Sequence, residues 1–153
     1  MMKVIFLDVD GVLNNNTCIE RLSLDNLLVL KEIVNKTQCI IVISSTYKLM
    51  NSSMDYLWSV FEKFEIQRHI HTIKEFPSTL DLLDSGGDRS DEIIQTLDNI
   101  KKLYNVDNWV AVDDGDLLNN NQSDKLINNF VKINPHEGLT KIHSSKIIEI
   151  FNK

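Results

Sequence analysis

Two aspartates one residue apart, Asp8 and Asp10, follow the short apolar run at residues 4–7. This run is rich in β-branched and aromatic residues and predicts a strand buried on both faces. Because side chains at i and i+2 of a strand share a face, we expect the two carboxylates to converge at its C-terminal end. A hard divalent cation such as Mg2+ would offset their mutual repulsion. The spacing therefore indicates a metal site, while Asp-Gly after an apolar run is also typical of a plain turn.

Two further apolar runs, at residues 39–43 and 109–112, predict buried strands that also end in polar side chains. The residues that follow them are Ser44, Ser45, Asp113 and Asp114. The carboxyl ends of parallel strands lie along one edge, where open α/β sheets bind their ligands. Asp113 and Asp114 alone would indicate only a solvated strand end. Three such endings in alternation predict one shared site.

Helical periodicity separates these strands. Ser23 is a suitable N-cap for the first helix, and Asp88 or Ser90 for the third. The predicted helices cover residues 24–36, 54–64, 90–104 and 144–151, and a fourth strand covers residues 130–133. Alternating strands and helices predict an α/β fold with a doubly wound, Rossmann-like parallel sheet in three layers. We expect residues 1–153 to form a single domain.

Two other segments fit this pattern less closely. Residues 69–73 alternate polar and apolar side chains, which predicts a short edge strand with His69 and His71 facing solvent. The histidines lack a third ligand nearby, so solvent-facing positions are favoured over metal binding. Residues 76–87 contain a proline and a Gly-Gly pair and predict an irregular segment at the rim of the site.

The composition limits the class of protein. An apolar content of 42% and a charged content of 25% are ordinary for a soluble globular domain. The formal charge of −6 argues against a broad surface for nucleic-acid phosphates, which would normally be a basic patch. Cys18 and Cys39 form no metal or redox motif. No signal pattern precedes the first strand, and no apolar run approaches the ~20 residues of a membrane helix. We expect a cytoplasmic protein without membrane partners.

In order along the chain, these motifs resemble the four motifs of haloacid dehalogenase-like (HAD) hydrolases. The shared features are Asp-x-Asp-Gly-Val, a Ser at the next strand end, a later basic residue and Asp-Asp after another strand. The resemblance extends from Val4 to at least Asp116. Ser-Ser-Thr-Tyr-Lys, Arg-x-x-Glu-Ile and Gly-Leu-Thr are similar to a compact phosphatase branch associated with nucleic-acid repair.

The resemblance implies a Mg2+-dependent phosphatase that acts through an aspartyl phosphate. Asp8 would be the nucleophile. Asp10 would protonate the leaving oxygen and then deprotonate the attacking water. Mg2+ would lie between the Asp8 carboxylate, the backbone carbonyl of Asp10 and Asp113, and Asp114 would be a second ligand or a brace for the first.

Alternatives remain among the phosphate-binding residues. Ser45 is preferred to Ser44 as the donor to a phosphoryl oxygen, because an aromatic residue follows it by two positions, as in the similar branch. Arg89 is the first choice for the neutralising cation, since its planar fork suits a phosphate. Lys48 and Lys74 are its rivals.

The segments between the motifs are short, which predicts little or no cap over the site. An open site admits a bulky phosphorylated substrate, such as a nucleic-acid end, a nucleotide or a phosphoprotein. The alternatives are a non-catalytic phosphate- or metal-binding regulatory module on the same fold and a phosphotransferase. Asp10 argues against a dehalogenase, which needs no acid for a leaving oxygen.

Overall fold

A computed structural model describes residues 2–15, 21–66 and 75–153. A parallel sheet lies at the centre of this part of the chain. Its strands are β1 (Met2–Leu7), β2 (Ile40–Ile43), β3 (Val106–Asp113) and β4 (Phe130–Lys132). Their order is β2-β1-β3-β4, so β1 has a hydrogen-bonded neighbour on both sides. The expected edge strand at residues 69–73 lies outside the described ranges, as do Cys18 and Lys74.

Helices connect the strands and cover both faces of the sheet. They are α1 (Leu24–Thr37), α2 (Asn51–Lys63), α3 (Arg89–Leu103), the single turn α4 (Ser123–Leu126) and α5 (Lys141–Phe151). Helix α1 packs against α5, and α3 packs against β3. The predicted α/β class, with its Rossmann-like parallel sheet in three layers, is confirmed.

The burial of the strands follows from their sequences. All residues of β2 and the last four residues of β1 are buried, as expected for short runs of branched and aromatic side chains. Phe6 of β1 contacts Trp109 of β3 edge to face, with ring centroids 6.1 Å apart. These contacts fix the central strands, and with them the residues that follow each strand.

Helix capping confirms two of the predicted helix starts. Ser23 accepts a hydrogen bond from the backbone of Asn26, and Asp88, rather than Ser90, caps α3 in a capping box with Asp91. The starts of the other two long helices differ from the predicted starts by about one helical turn. Helix α5 begins three residues earlier than expected because Thr140 caps it, through a box that includes the side chain of His143.

The connections at the carboxyl edge of the sheet are short helices and turns. In their described parts they contain no inserted domain, which agrees with the expected fold with little or no cap. Within the described ranges, no helix combines the length and the apolar character needed to span a lipid bilayer.

Candidate active site

Three carboxyl groups meet at the carboxyl edge of the sheet. Oxygen atoms of Asp8, Asp113 and Asp114 all lie within 4.8 Å of one another. The strand register explains this, because Leu7 pairs with Val112 and the next residues of the two strands are Asp8 and Asp113. As whole residues, Asp8 and Asp113 are only 7% and 6% exposed. The structure thus brings together the acids that follow two of the three predicted strands, β1 and β3.

Burial favours the protonated form of the Asp8 carboxyl group. The pKa of Asp8 is raised, first by loss of solvent, then by the neighbouring charge of Asp113 and by a hydrogen bond with Asp114. Burial also raises the pKa of Asp113, while the guanidinium of Arg89 opposes both shifts. A cation among the three groups would relieve the same repulsion. Clustered carboxylate oxygens are the donors that Mg2+ prefers, so the residues fit this ion.

Asp10 does not belong to the carboxylate cluster. The regular strand does not extend to Asp10, because β1 ends at Leu7 and a turn closed by the Val12 N–H and the Val9 carbonyl follows. Asp10 is exposed, and its carboxylate accepts a hydrogen bond of 3.0 Å from Asn14 Nδ2. The oxygen of the same Asn14 side chain accepts from the Gly11 backbone at 2.7 Å. The two acids therefore differ in environment, one buried and one open to solvent.

Gly11 allows the turn to pass close to the cluster. Its φ of +79° is in the left-handed region, which favours glycine. A Cβ atom at this position would lie 2.8 Å from the Cγ atom of Asp114, so any side chain here would have to displace the Asp114 carboxyl group. The Gly of Asp-x-Asp-Gly thus has a steric reason, since the Asp114 carboxyl group occupies the space beside it.

The two serines after β2 have different environments. Ser44 donates its backbone N–H to the carbonyl of Leu7 at 2.8 Å, so the pairing of β2 with β1 continues to Ser44 beside Asp8. The Ser44 hydroxyl is buried and has no hydrogen-bond partner among the described residues. The Ser45 hydroxyl instead accepts from the backbone of Tyr47 at 3.3 Å and caps the 3-10 turn Thr46–Leu49. The Ser44 hydroxyl, next to Asp8, is therefore the one without any partner among the described residues, while Ser45 uses one acceptor position and keeps its own proton.

Arg89, the first residue of α3, reaches the cluster from the neighbouring helix. One terminal nitrogen donates to the carbonyl of Ser44 and lies 4.0 Å from a carboxylate oxygen of Asp113. Its Nε lies 3.8 Å from Glu92, one helical turn further along. The Ser44 carbonyl and the Glu92 carboxylate thus orient the guanidinium, which lies beside the carboxyl group of Asp113.

The Lys48 side chain is more deeply buried than that of Arg89 and contacts three polar groups of the protein. Its ammonium group contacts Glu92 at 3.0 Å, the Thr79 hydroxyl at 3.0 Å and the Leu80 carbonyl at 3.2 Å. An ammonium has three protons to donate, and these three partners use them all. The side chain is only 7% exposed, and burial is the main reason that its pKa is lowered. Lys48 is therefore fixed within the fold.

The sequence interpretation gave no role to three neighbours of these residues, although Glu92 is part of the quoted Arg-x-x-Glu-Ile motif. Glu92 contacts both Lys48 and Arg89, and its other oxygen accepts from the Leu82 backbone at 3.0 Å. The i, i+3 spacing of Arg89 and Glu92 on a helix was a signal for this contact. Asn14 and Arg21 carry no comparable signal, because their positions depend on the turn after β1.

Comparison with known proteins agrees with this geometry. The family model that describes the HAD domain in Swiss Army Knife RNA repair proteins matches residues 4–143. The match includes every residue of the site described above. No curated protein and no solved structure matches the chain significantly.

Proposed function

Since the chain belongs to the HAD domain family of Swiss Army Knife RNA repair proteins, we propose that it hydrolyses phosphate monoesters through an aspartyl phosphate, with Mg2+ as cofactor. The observation that carries this proposal is the group of Asp8, Asp113 and Asp114 at the edge of the sheet, of which the first two are buried and the third is half-buried. Ordinary folding gives no reason to bury two acids beside a third, since each buried carboxylate costs free energy unless a cation compensates it. A phosphatase of this type needs such a site.

The proposed reaction has two displacements at phosphorus. A carboxylate oxygen of Asp8 attacks the phosphorus and forms an acyl phosphate as the bond to the leaving oxygen breaks. Asp10 donates a proton to that oxygen. Asp10 then accepts a proton from a water molecule, whose oxygen attacks the same phosphorus. Inorganic phosphate leaves, and the Asp8 carboxylate is regenerated. The exposure of Asp10 suits a group that must reach both a leaving oxygen and water.

The cation would be held by the carboxylates of Asp8, Asp113 and Asp114, and the backbone carbonyl of Asp10 remains a further ligand in this proposal. Bound Mg2+ would screen the attacking carboxylate from the phosphoryl group and stabilise negative charge in the transition state. Asp114 would act as a ligand or orient the others, and Gly11 leaves the space for it.

Phosphate binding is assigned here to Ser44 and Arg89. Ser44 is favoured over Ser45 because its buried hydroxyl lacks a partner, whereas Ser45 caps a turn. Arg89 is favoured over Lys48 because the three donors of Lys48 are already used within the protein. The Arg89 guanidinium has further N–H groups that suit the oxygens of a phosphoryl group.

The substrate we propose is a phosphate at a nucleic-acid end. The family description names RNA repair proteins, and the described connections carry no inserted domain over the sheet edge. An open edge admits a polymer end more readily than it encloses a small metabolite. The net charge of −6 implies that such a substrate is held by local contacts, without a broad basic surface.

Phosphate release from short oligoribonucleotides with a 3′- or 5′-phosphate, and from p-nitrophenyl phosphate, tests this proposal. We expect release with Mg2+, loss of release with EDTA, and no turnover in Asp8→Asn. Circular dichroism and thermal unfolding of the variant control for folding. Release that persists in a folded Asp8→Asn variant would rule out the mechanism. Metal binding without turnover of any ester would favour a regulatory binding module.

A further inference from the structure

A second group of side chains lies outside the carboxylate cluster. The guanidinium carbon of Arg21 lies 3.9 Å from the centroid of the Tyr56 ring, a cation–π distance. The charge of Arg21 also lies close enough to the Tyr47 side chain to oppose the rise in the pKa of Tyr47. Arg21 is exposed, and both tyrosines are half-buried. The Tyr56 ring therefore holds one planar cation at the surface, and the Tyr47 side chain lies nearby.

This group lies next to Asp10. The amide nitrogen of Asn14 donates to the Asp10 carboxylate at 3.0 Å and to the backbone carbonyl of Arg21 at 3.1 Å. Burial raises the pKa of Tyr47, and the charge of Asp10 raises it further, which agrees with their proximity. Because Asp10 is the proposed donor to the leaving oxygen, Arg21 and the tyrosines lie where the rest of the substrate must continue.

The chemistry of this surface fits a nucleotide. A guanidinium with one face on an aromatic ring can receive a base on its other face, and its N–H groups can contact a phosphodiester. A planar cation held against an aromatic ring suits a base and its backbone better than an isolated small anion.

We propose that Arg21, Tyr47 and Tyr56 form the subsite for the nucleotide next to the terminal phosphate. This inference rests on the proposed function and deepens it, because it gives a polynucleotide end a second point of attachment. Arg21 makes the contact, and the tyrosines fix its orientation. Selectivity for a nucleic-acid end over a small ester would then depend on residues outside the carboxylate cluster.

The first test compares two substrates in the same variants. Arg21→Ala should lower kcat/KM for a phosphorylated oligoribonucleotide at least fivefold more than kcat/KM for p-nitrophenyl phosphate, about the smallest effect of losing one base stack. Tyr56→Leu should change the ratio in the same direction. The charge control is Lys101→Ala, since Lys101 is exposed in the last turn of α3, about 18 Å along the helix from Arg89. An unchanged ratio in Arg21→Ala would overturn the inference.

The second test measures binding without turnover. Fluorescence anisotropy of a labelled, phosphorylated oligoribonucleotide should give a Kd at least fivefold higher for Asp8→Asn/Arg21→Ala than for Asp8→Asn, with Lys101→Ala neutral. Failure of the hydrolase proposal would appear as an inactive wild type whose binding still depends on Arg21. Equal Kd values would overturn the subsite in an active or inactive protein. Turnover of a phosphopeptide that depends on Arg21, with no such dependence for RNA, would also overturn it.

Discussion

At the scale of single residues, the protonation of Asp8 links the site to the stability of the fold. A carboxyl group buried beside two others favours its neutral form, and the raised pKa of Asp8 expresses this preference. A neutral carboxyl is a poor nucleophile. The same environment becomes favourable to the carboxylate when a cation occupies the cluster, so metal binding and nucleophile activation are coupled in the proposed mechanism.

This coupling predicts how the stability of the metal-free protein depends on pH. Because the pKa of Asp8 is raised in the folded state, its protonated form contributes to the stability of the fold. This contribution is complete below the ordinary pKa of 3.8 and is lost as the pH rises toward the folded-state pKa. In EDTA, the free energy of urea unfolding should therefore fall between about pH 5 and about pH 8, by at most about 1.4 kcal/mol per pH unit for each proton. Asp8→Asn should reduce the slope.

The amide of Asn is the matched control because it resembles the protonated carboxyl and does not titrate. Mg2+ should also reduce the slope in the wild type, since it stabilises the carboxylate form. A wild-type slope that equals that of the variant would show that Asp8 is not protonated in the metal-free fold.

The two serines give a second prediction at this scale. Ser44→Ala should lower kcat about tenfold or more, as expected for loss of a donor to a transition-state oxygen, without loss of stability because its hydroxyl has no partner to lose. Ser45→Ala should instead cost about 0.5–1 kcal/mol of stability through the lost cap and keep most of the activity. Steady-state kinetics and urea unfolding measure both. The reverse pattern would assign phosphate binding to Ser45.

At the scale of elements, a buried ion pair connects the turn after β2 to helix α3. The side chains of Lys48 and Glu92 are 7% and 10% exposed, and their charged atoms lie 3.0 Å apart. Glu92 also contacts Arg89. The residue that joins the two elements therefore also orients the proposed phosphate-binding guanidinium. Removing Lys48 leaves the buried carboxylate of Glu92 with only the more distant guanidinium of Arg89, 3.8 Å away, as a cationic partner.

Lys48→Met is therefore expected to destabilise the fold by about 3 kcal/mol or more in urea unfolding. The double variant Lys48→Met/Glu92→Leu should recover part of this loss, because no buried charge remains unpaired. The exposed pair of Lys36 and Glu32, 2.8 Å apart and 59% and 35% exposed, is the control. Lys36→Met should cost about 0.5 kcal/mol or less. An equal cost for both lysines would contradict a buried structural role for Lys48.

At the scale of the whole molecule, the sequence predicts the sheet and the meeting of its strand ends well. Short runs of branched apolar residues have few alternatives to buried parallel strands, and these strands bring Asp8 near Asp113 once they pair in register. The family resemblance stated from the motifs is confirmed by the match over residues 4–143. Periodicity and strand-end chemistry are local signals, which is why sequence reasoning could use them.

Finer details depend on tertiary structure and were not predictable. The choice between Ser44 and Ser45 depends on a shift of one residue, which reverses the direction of a side chain. The environment of Lys48 depends on where Thr79 and Glu92 lie, far along the chain. The position of Asp10 depends on a turn held by Asn14. Long side chains and turns take their final positions from partners that the local sequence does not identify.

The most direct test of the central claim is to trap the phosphoryl group on Asp8. Asp10→Asn should form the intermediate with p-nitrophenyl phosphate, whose leaving group needs little acid assistance, and should hydrolyse it slowly because the base is missing. After an acid quench, mass spectrometry of the peptides should find one phosphoryl group, on Asp8. Asp8→Asn/Asp10→Asn is the matched control and should carry none. A label on another residue, or phosphate release from Asp8→Asn, would contradict the aspartyl-phosphate mechanism.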